Sequence, residues 1–132
     1  KRIGHGFSLP QHPLLMEICK SRQIAVECCP ISNELLRYTA STMSHPLSIL
    51  LNYNVPVSLS CDDPQFFGNP GLSYDFYQVF TASDTLDIIG LGDLARKSFG
   101  FSMMEDEERA TEIAKFDIQF DQFLDLVIAS SL

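Results

Sequence analysis

The sequence predicts an α/β fold with a parallel sheet, and three observations support this prediction. Two short, mostly apolar runs of β-prone residues cover 24–29 and 55–61, and a strand-like pattern is already under way at Lys1. Helical patterns lie between these segments, as they do in βα units. Short apolar strands are typical of parallel sheets, because helices cover both of their faces.

The two connecting helices are predicted over 13–20 and 46–52. Each begins with a proline, Pro13 or Pro46. Proline is favoured in the first turn of a helix, because an N–H group there has no intrahelical partner. The predicted order is therefore strand, helix, strand, helix, strand.

The second half of the chain is predicted to be helical, after a loop at 65–71. Short helices are expected over 74–80 and 91–99, and the longest begins near the acidic run 105–108, where carboxylates suit the positive end of the helix dipole. Apolar residues recur in the long helix at every third or fourth position, and we expect this stripe to belong to the core. Its members are Ile113, Phe116, Phe120, Phe123, Leu124, Val127 and Ile128.

The composition excludes several classes of protein. The 132 residues hold 9 Lys and Arg against 17 Asp and Glu, for a formal net charge of −8, and 45% of them are hydrophobic. This composition supports a real core and does not favour phosphate binding, so we expect neither a disordered tail nor a nucleic-acid-binding protein. Residues 84–132 carry 4 basic and 11 acidic groups, so the charge belongs mainly to the outer helices.

The length and the first residues predict a partial domain. No apolar run reaches about 18 residues, so no membrane span is predicted, and no signal-peptide pattern follows Lys1. A chain of 132 residues corresponds to one domain at most. Because the strand-like pattern is already under way at the first residue, we expect the chain to be part of a longer protein.

Four cysteines, Cys19, Cys28, Cys29 and Cys61, form no Cys-x-x-Cys motif. The adjacent pair Cys28 and Cys29 is a poor disulfide, because so short a loop strains the bridge. We interpret the four residues as buried free thiols.

Three polar clusters follow the predicted strands, at 4–6, 30–33 and 60–64. In α/β proteins the carboxyl ends of parallel strands are where sites are built. In the first cluster His5 lies between two glycines, which leave room for a ligand. A turn whose imidazole is satisfied by a backbone group explains the same pattern equally well.

Asp62 and Asp63 form an adjacent pair of carboxylates in the third cluster. Like charges this close need a cation or a shared proton in a buried site, so a divalent metal or a protonated ligand is one interpretation. Ordinary turn chemistry before Pro64 is the other. His12 and His45 precede helix starts on the far side of the unit, and we predict structural roles for both. His5, Asp62 and Asp63 alone cannot complete a tetrahedral zinc site.

Taken together, these clusters resemble the C-terminal part of the adenosine deaminase family, and in particular its secreted branch, the adenosine deaminase-related growth factors. The resemblance covers nearly the whole chain and fades in the last helix. The matching segments are Arg2-Ile3-Gly4-His5-Gly6-Phe7, Glu27-Cys28-Cys29-Pro30-Ile31-Ser32-Asn33, His45-Pro46, Ser60-Cys61-Asp62-Asp63-Pro64, and Phe67-Gly68 followed by Gly71-Leu72-Ser73-Tyr74-Asp75-Phe76-Tyr77.

Members of that family are (β/α)8 barrels that convert adenosine to inosine and ammonia with one catalytic Zn²⁺. The resemblance implies that residues 1–132 are the C-terminal segment of such a barrel, about strands six to eight with their helices, followed by closing helices. It implies that Asp62 is the carboxylate ligand of the zinc. It further implies that His5 is catalytic and orients the attacking water, and that Asp63 binds the substrate at a purine ring nitrogen.

The resemblance also implies adenosine or 2′-deoxyadenosine as substrate, an extracellular location and a possible homodimer of the full-length protein. The family's other zinc ligands, a His-x-His and a further His, are absent from this chain, and so is the Glu that moves the proton. We therefore expect these 132 residues alone to bind zinc poorly and to deaminate nothing. Two alternatives stay open: a non-catalytic, growth-factor-like protein that binds a receptor, and another metal-dependent hydrolase on the same barrel.

Overall fold

A three-stranded parallel sheet organises the first half of the chain. In the computed structural model, which describes residues 1–68 and 71–130, the strands are β1 (Arg2–Gly4), β2 (Ala25–Cys28) and β3 (Val57–Leu59). They pair in the order β1-β2-β3. The predicted parallel sheet is confirmed, although β2 and β3 are shorter than the runs 24–29 and 55–61 that predict them.

Six α-helices accompany the sheet in the described residues. They are α1 (Pro13–Ser21), α2 (Pro30–Leu35), α3 (Leu47–Asn52), α4 (Ser73–Ala82), α5 (Ile88–Ser98) and α6 (Asp106–Ser130), with 3-10 turns at Leu9–Gln11, Thr42–Ser44 and Phe99–Phe101. Pro13 occupies the first turn of α1, whereas Pro46 is the residue before α3. The sequence did not predict α2. The predicted loop 65–71 includes Asn69 and Pro70, which lie outside the described residues.

One face of the sheet forms the core. Its central strand contributes Val26 and Cys28, both fully buried, and β3 contributes Val57 and Leu59. These four side chains share a face because they are in register or two positions apart. Helices α1, α3, α4 and α5 cover that face through Met16, Cys19, Leu47, Leu50, Val79 and Leu94. Each Val, Leu or Met side chain of this core, when fully buried, contributes roughly 1.5–3 kcal/mol.

The other face of the sheet is polar. Arg2 and Glu27 form an ion pair there, with Nε 2.6 Å from Oε1. Arg2 also donates from Nη1 to the backbone oxygen of Phe101, at 2.6 Å. The start of β1 is thereby joined to the turn between α5 and α6.

The apolar stripe of α6 is less buried than the sequence predicts. The first half of the stripe is packed against other rings. The Phe116 ring stacks on that of Phe120, with 5.6 Å between ring centroids, and lies edge-on to the Phe99 ring, with 5.7 Å between centroids. Phe123 and Ile128, however, are 45% and 61% exposed, and no described residue of α6 is fully buried. The expectation that the whole stripe belongs to the core is wrong for this chain, because a 25-residue helix is roughly 37 Å long and α5 is less than half that length.

Gly92 allows α5 and α6 to approach each other. A Cβ atom at this position would lie 2.1 Å from the Phe120 ring, so any other residue would displace that ring. Among the helices of the described residues, none combines the length and the apolar character needed to cross a membrane.

Candidate active site

The three polar clusters meet at the carboxyl edge of the sheet. His5 follows β1, Ser32 and Asn33 lie in the first turn of α2 directly after β2, and Asp62 follows β3. The backbone N–H of His5 donates to the backbone oxygen of Glu27 at 2.8 Å, and the N–H of Ser60 donates to the backbone oxygen of Cys28 at the same distance. Pairing therefore continues one residue past the strands, and it holds the ends of β1 and β3 against β2.

Two of these residues have left-handed backbone. His5 has φ of 60° and Asp62 has φ of 55°, a conformation that costs a non-glycine residue roughly 1–2 kcal/mol. Gly6 is also left-handed, and any other residue would be crowded there, because a Cβ atom would lie 2.7 Å from Cγ1 of Val26. Backbone strain of this kind clusters at functional sites. Three other non-glycine residues share this conformation, so it does not by itself mark the site: Gln23, Arg37 and Asn54.

His5 and Asp62 are brought together. Nε2 of His5 lies 4.0 Å from Oδ2 of Asp62, and the two side chains are 37% and 34% exposed. Ser32 donates from Oγ to the same carboxylate oxygen, at 2.6 Å. Because Ser32 itself is buried, it anchors the Asp62 carboxylate while leaving the His5–Asp62 pair accessible from outside.

A chain of hydrogen bonds continues behind His5. Nδ1 of His5 lies 3.2 Å from Nδ2 of Asn33, and Oδ1 of Asn33 lies 3.0 Å from Nε2 of His45. The backbone N–H of Leu47 donates to Nδ1 of His45, at 3.1 Å. Asn33 is completely buried and His45 is 3% exposed. Burial, and to a lesser extent the nearby His5, lowers the pKa of His45 to about 4.

This position of His45 corrects one expectation. The sequence favoured a place on the far side of the βα unit, whereas His45 packs behind His5 and contacts it through Asn33. His12 is exposed at the start of α1, as a residue without a role in the site would be. The sequence singled out the 30–33 cluster that contains Asn33, but nothing in the local pattern predicted its partners.

Asp75 supports the site from α4. It is fully buried, and Oδ1 accepts a hydrogen bond from the backbone N–H of Ile31 at 3.2 Å, so α4 is joined to the first turn of α2. Its other oxygen, Oδ2, has no hydrogen-bond partner among the described residues. Burial raises the pKa of this carboxyl above its usual value, against the lowering effect of the Ile31 hydrogen bond.

Asp63 is exposed and follows Asp62 directly in the sequence. Its backbone oxygen accepts from the N–H of Phe67 at 3.2 Å, which closes a turn after β3. Its carboxylate makes no hydrogen bond to the described part of the chain. The protein therefore orients the Asp62 carboxylate through Ser32, whereas the Asp63 side chain is exposed.

The backbone oxygens of Cys28 and Cys29 accept hydrogen bonds at this edge, but their side chains are buried thiols. All four are free thiols, and Cys19, Cys28 and Cys29 are buried, as the sequence predicts, whereas Cys61 is only half-buried. Burial raises the pKa of the Cys29 thiol to about 12 and that of Cys28 still further, so neither is a thiolate near neutral pH.

The residues present fit only part of a zinc site. A catalytic zinc takes three protein ligands and keeps one open position. Within residues 1–68 and 71–130, no group of three or more His, Cys, Asp or Glu side chains is arranged to hold a metal ion. Asp62, held by Ser32 and partly exposed, can supply one oxygen ligand.

Comparisons with known proteins bear on the family of this chain. The sequence model of the family described as "Adenosine deaminase" matches residues 1–118. The chain belongs to the adenosine deaminase family. A relative in that family, "Adenosine deaminase 2" of Dictyostelium discoideum, is 40% identical over 129 residues, which are 97% of this chain and 24% of that protein. The chain thus spans about a quarter of the length of the curated relatives it matches.

Solved structures show the fold of this deaminase-family chain. An adenine deaminase of Arthrobacter aurescens superimposes with a TM-score of 0.84 at 24% identity, over 91% of this chain and 36% of that one. An amidohydrolase of Burkholderia ambifaria, solved with bound Zn, gives a TM-score of 0.82 at 19% identity, over 97% of this chain and 35% of that one. The predicted fold class, a segment of a (β/α)8 barrel, is confirmed.

Proposed function

We propose that residues 1–132 are the carboxyl-terminal segment, about strands six to eight, of a zinc-dependent adenosine deaminase. The reaction is the hydrolysis of adenosine, or of 2′-deoxyadenosine, to inosine and ammonia. The observation that carries the proposal is the approach of His5 and Asp62 to 4.0 Å at the carboxyl edge of the sheet, in a chain that matches the adenosine deaminase family over residues 1–118.

Asp62 is proposed as one oxygen ligand of the zinc ion. Ser32 occupies one side of its Oδ2 atom, so the carboxylate has a set orientation before any metal arrives. Zinc, when bound, acts as a Lewis acid and makes a water molecule nucleophilic near neutral pH. The remaining ligands and the general acid or base are proposed to come from outside these 132 residues, because the described residues do not complete a metal site.

His5 is proposed as the catalytic residue that orients the attacking water. Its imidazole is 37% exposed and lies beside the Asp62 carboxylate, so it can reach a water molecule there. A hydrogen-bond donor aimed at an oxygen on which negative charge develops stabilises the transition state. Asp63 is proposed to bind the purine through a hydrogen bond that its carboxyl group shares with a ring nitrogen, since its side chain is exposed.

The proposal includes location and assembly. The protein is extracellular and a possible homodimer at full length, on the strength of its resemblance to the secreted branch and of its 40% identity to a protein named "Adenosine deaminase 2". Neither nucleic acid nor membrane is proposed as a partner.

The test compares the 132-residue chain with the complete protein that contains it. We expect the complete protein to hold one zinc ion and to form inosine from adenosine, and the 132-residue chain to hold little zinc and to form none. Stoichiometric zinc and inosine formation by the short chain would contradict the proposed dependence on other residues. A complete protein without deamination would instead favour the alternative, a non-catalytic, growth-factor-like protein that binds a receptor.

A further inference from the structure

We propose that Asn33 and His45 are positioning residues, which hold His5 in the tautomer that carries its proton on Nε2, the nitrogen nearest to Asp62. This inference rests on the proposed function for its catalytic meaning. The tautomer itself follows from the direction of the hydrogen-bond chain behind His5.

A backbone amide sets the donor-to-acceptor direction of this series of hydrogen bonds. The N–H of Leu47 can only donate, so Nδ1 of His45 accepts at 3.1 Å and carries no proton. His45 is 3% exposed, and a second, charge-bearing proton on this ring is disfavoured by its burial. The single proton of the neutral ring therefore lies on Nε2, which donates to Oδ1 of Asn33 at 3.0 Å.

Asn33 passes this direction on to His5. Because Oδ1 accepts from His45, the amide group Nδ2 is the end that faces His5, and it donates to Nδ1 of His5 at 3.2 Å. If the side-chain amide of Asn33 were flipped, its Nδ2 donor would face the Nε2–H donor of His45. The backbone of Asn33 is also fixed, since its N–H donates to Cys29 at 2.9 Å and its oxygen accepts from Tyr38 at 2.8 Å.

The consequence for His5 is one tautomer. An Nδ1 atom that accepts a hydrogen bond has no proton, so the proton of the neutral ring lies on Nε2. Nε2 is the atom 4.0 Å from Oδ2 of Asp62, and both side chains are about one third exposed. The opposite tautomer would place an N–H against the Asn33 amide and a lone pair toward Asp62. These hydrogen bonds thus leave the N–H donor of His5 on Nε2, where the proposed reaction needs a donor.

The wild-type protein already provides a test. In the complete, zinc-loaded protein with ¹⁵N-labelled histidine, nitrogen chemical shifts separate a protonated from an unprotonated ring nitrogen, and loss of one set of signals in His5→Gln assigns His5. We expect Nε2 of His5 to be protonated and Nδ1 to be unprotonated. A proton on Nδ1 overturns the proposal, whether or not the protein deaminates adenosine.

Two variants of His45 separate positioning from folding. In His45→Gln the side-chain oxygen can still accept from Leu47 and the amide can still donate to Asn33, whereas His45→Phe removes both groups. For His45→Phe we expect mixed His5 tautomers and a fall in kcat of roughly 10- to 100-fold, with KM and zinc content nearly unchanged. His45→Gln should restore most of kcat and the single tautomer. Equal kcat and an unchanged tautomer in folded His45→Phe contradict the proposal.

Asn33→Asp is a second variant of similar shape, used where His45→Phe does not fold. A carboxylate at this position only accepts, so it should move the His5 proton to Nδ1. An unchanged tautomer would contradict the proposal. His12→Gln, at an exposed histidine outside the hydrogen-bond chain, is the matched control. Should the tautomers behave as expected while the wild-type protein forms no inosine, the proposed function fails and the positioning stands.

Discussion

Ser32 donates a 2.6 Å hydrogen bond from Oγ to Oδ2 of Asp62, and this bond joins the first turn of α2 to the segment after β3. Ser32 is 1% exposed, whereas the Asp62 side chain is 34% exposed. A buried, well-packed donor thus orients a carboxylate that faces outward. Such supporting hydrogen bonds determine how well a side chain binds metal.

Replacing Ser32 should weaken zinc binding without removing a ligand. In the complete protein, we expect Ser32→Ala to lower zinc affinity roughly 10- to 100-fold, because Asp62 loses its orienting donor. A competition titration with a chelator measures the change. Ser21→Ala, at an exposed serine at the end of α1, is the control. Equal affinities for Ser32→Ala and the wild type would show that Ser32 does not orient the ligand.

The two adjacent carboxylates should differ in their effects. Asp62→Ala in the complete protein should abolish both zinc retention and activity, because it removes the proposed metal ligand. Asp63→Ala should keep the zinc and lose substrate binding and turnover, because its exposed carboxylate is proposed to contact the purine. Metal analysis and kinetics, made on the same preparations, distinguish the two roles.

Asp62→Asn is a gentler variant of the same test, since an amide oxygen of the same shape can still accept from Ser32. We expect zinc occupancy between those of the wild type and of Asp62→Ala. Full zinc occupancy in Asp62→Ala would contradict the assignment of Asp62 as a ligand.

Asp75 should make stability depend on pH. Burial raises the pKa of Asp75 in the folded state above its usual value of 3.8. Its favourable contribution to the free energy of unfolding is therefore complete below pH 3.8 and is lost as the pH rises through the folded-state pKa. Asp75→Asn keeps an oxygen for the Ile31 N–H and has no charge. We expect the variant to gain free energy of unfolding relative to the wild type at neutral pH, and to lose this advantage in acid.

Urea unfolding across this pH range measures the Asp75 effect. Asp84→Asn, at an exposed aspartate, is the control and should show no such trend. A wild type and an Asp75→Asn variant whose stabilities stay parallel at every pH would contradict the assigned direction of the pKa shift.

Gly92 should be irreplaceable in the contact between α5 and α6. Its missing Cβ would lie 2.1 Å from the Phe120 ring, so we expect Gly92→Ala to cost about 1–3 kcal/mol through displacement of that ring. Gly100→Ala is a matched control, because a Cβ there meets nothing within 4 Å. Thermal unfolding reports both. Adding Phe120→Leu to Gly92→Ala should recover part of the loss, and a double variant that recovers none would place the cost elsewhere.

Much of the fold could be predicted because it depends on neighbours in sequence. The runs at 24–29 and 55–61 indicate strands through their residue types, and Pro13 marks the first turn of α1. Once strands and helices alternate, the parallel order follows, and the carboxyl ends of the strands meet at one edge. That rule places the polar clusters of His5 and Asp62 at one edge, and the family resemblance implied that both belong to one site. Their proposed roles as catalytic residue and metal ligand remain predictions.

The stripe of α6 shows where periodicity stops being informative. Spacing at every third or fourth position correctly indicates that Phe116 and Phe120 share a face of a helix. It does not indicate how much of that face another element covers, and Phe123 is 45% exposed. Coverage depends on the relative lengths and positions of packed helices, which no local pattern contains.

By itself, the sequence determined the order of strands and helices, the edge at which the site lies and the residues with suitable chemistry. Only the tertiary structure decided the partners: Ser32 for Asp62, Asn33 and His45 for His5, and a buried position for Asp75. The reason is physical. A hydrogen bond requires an approach of about 3 Å between particular atoms, and segments distant in the chain come that close only through the packing of helices on the sheet.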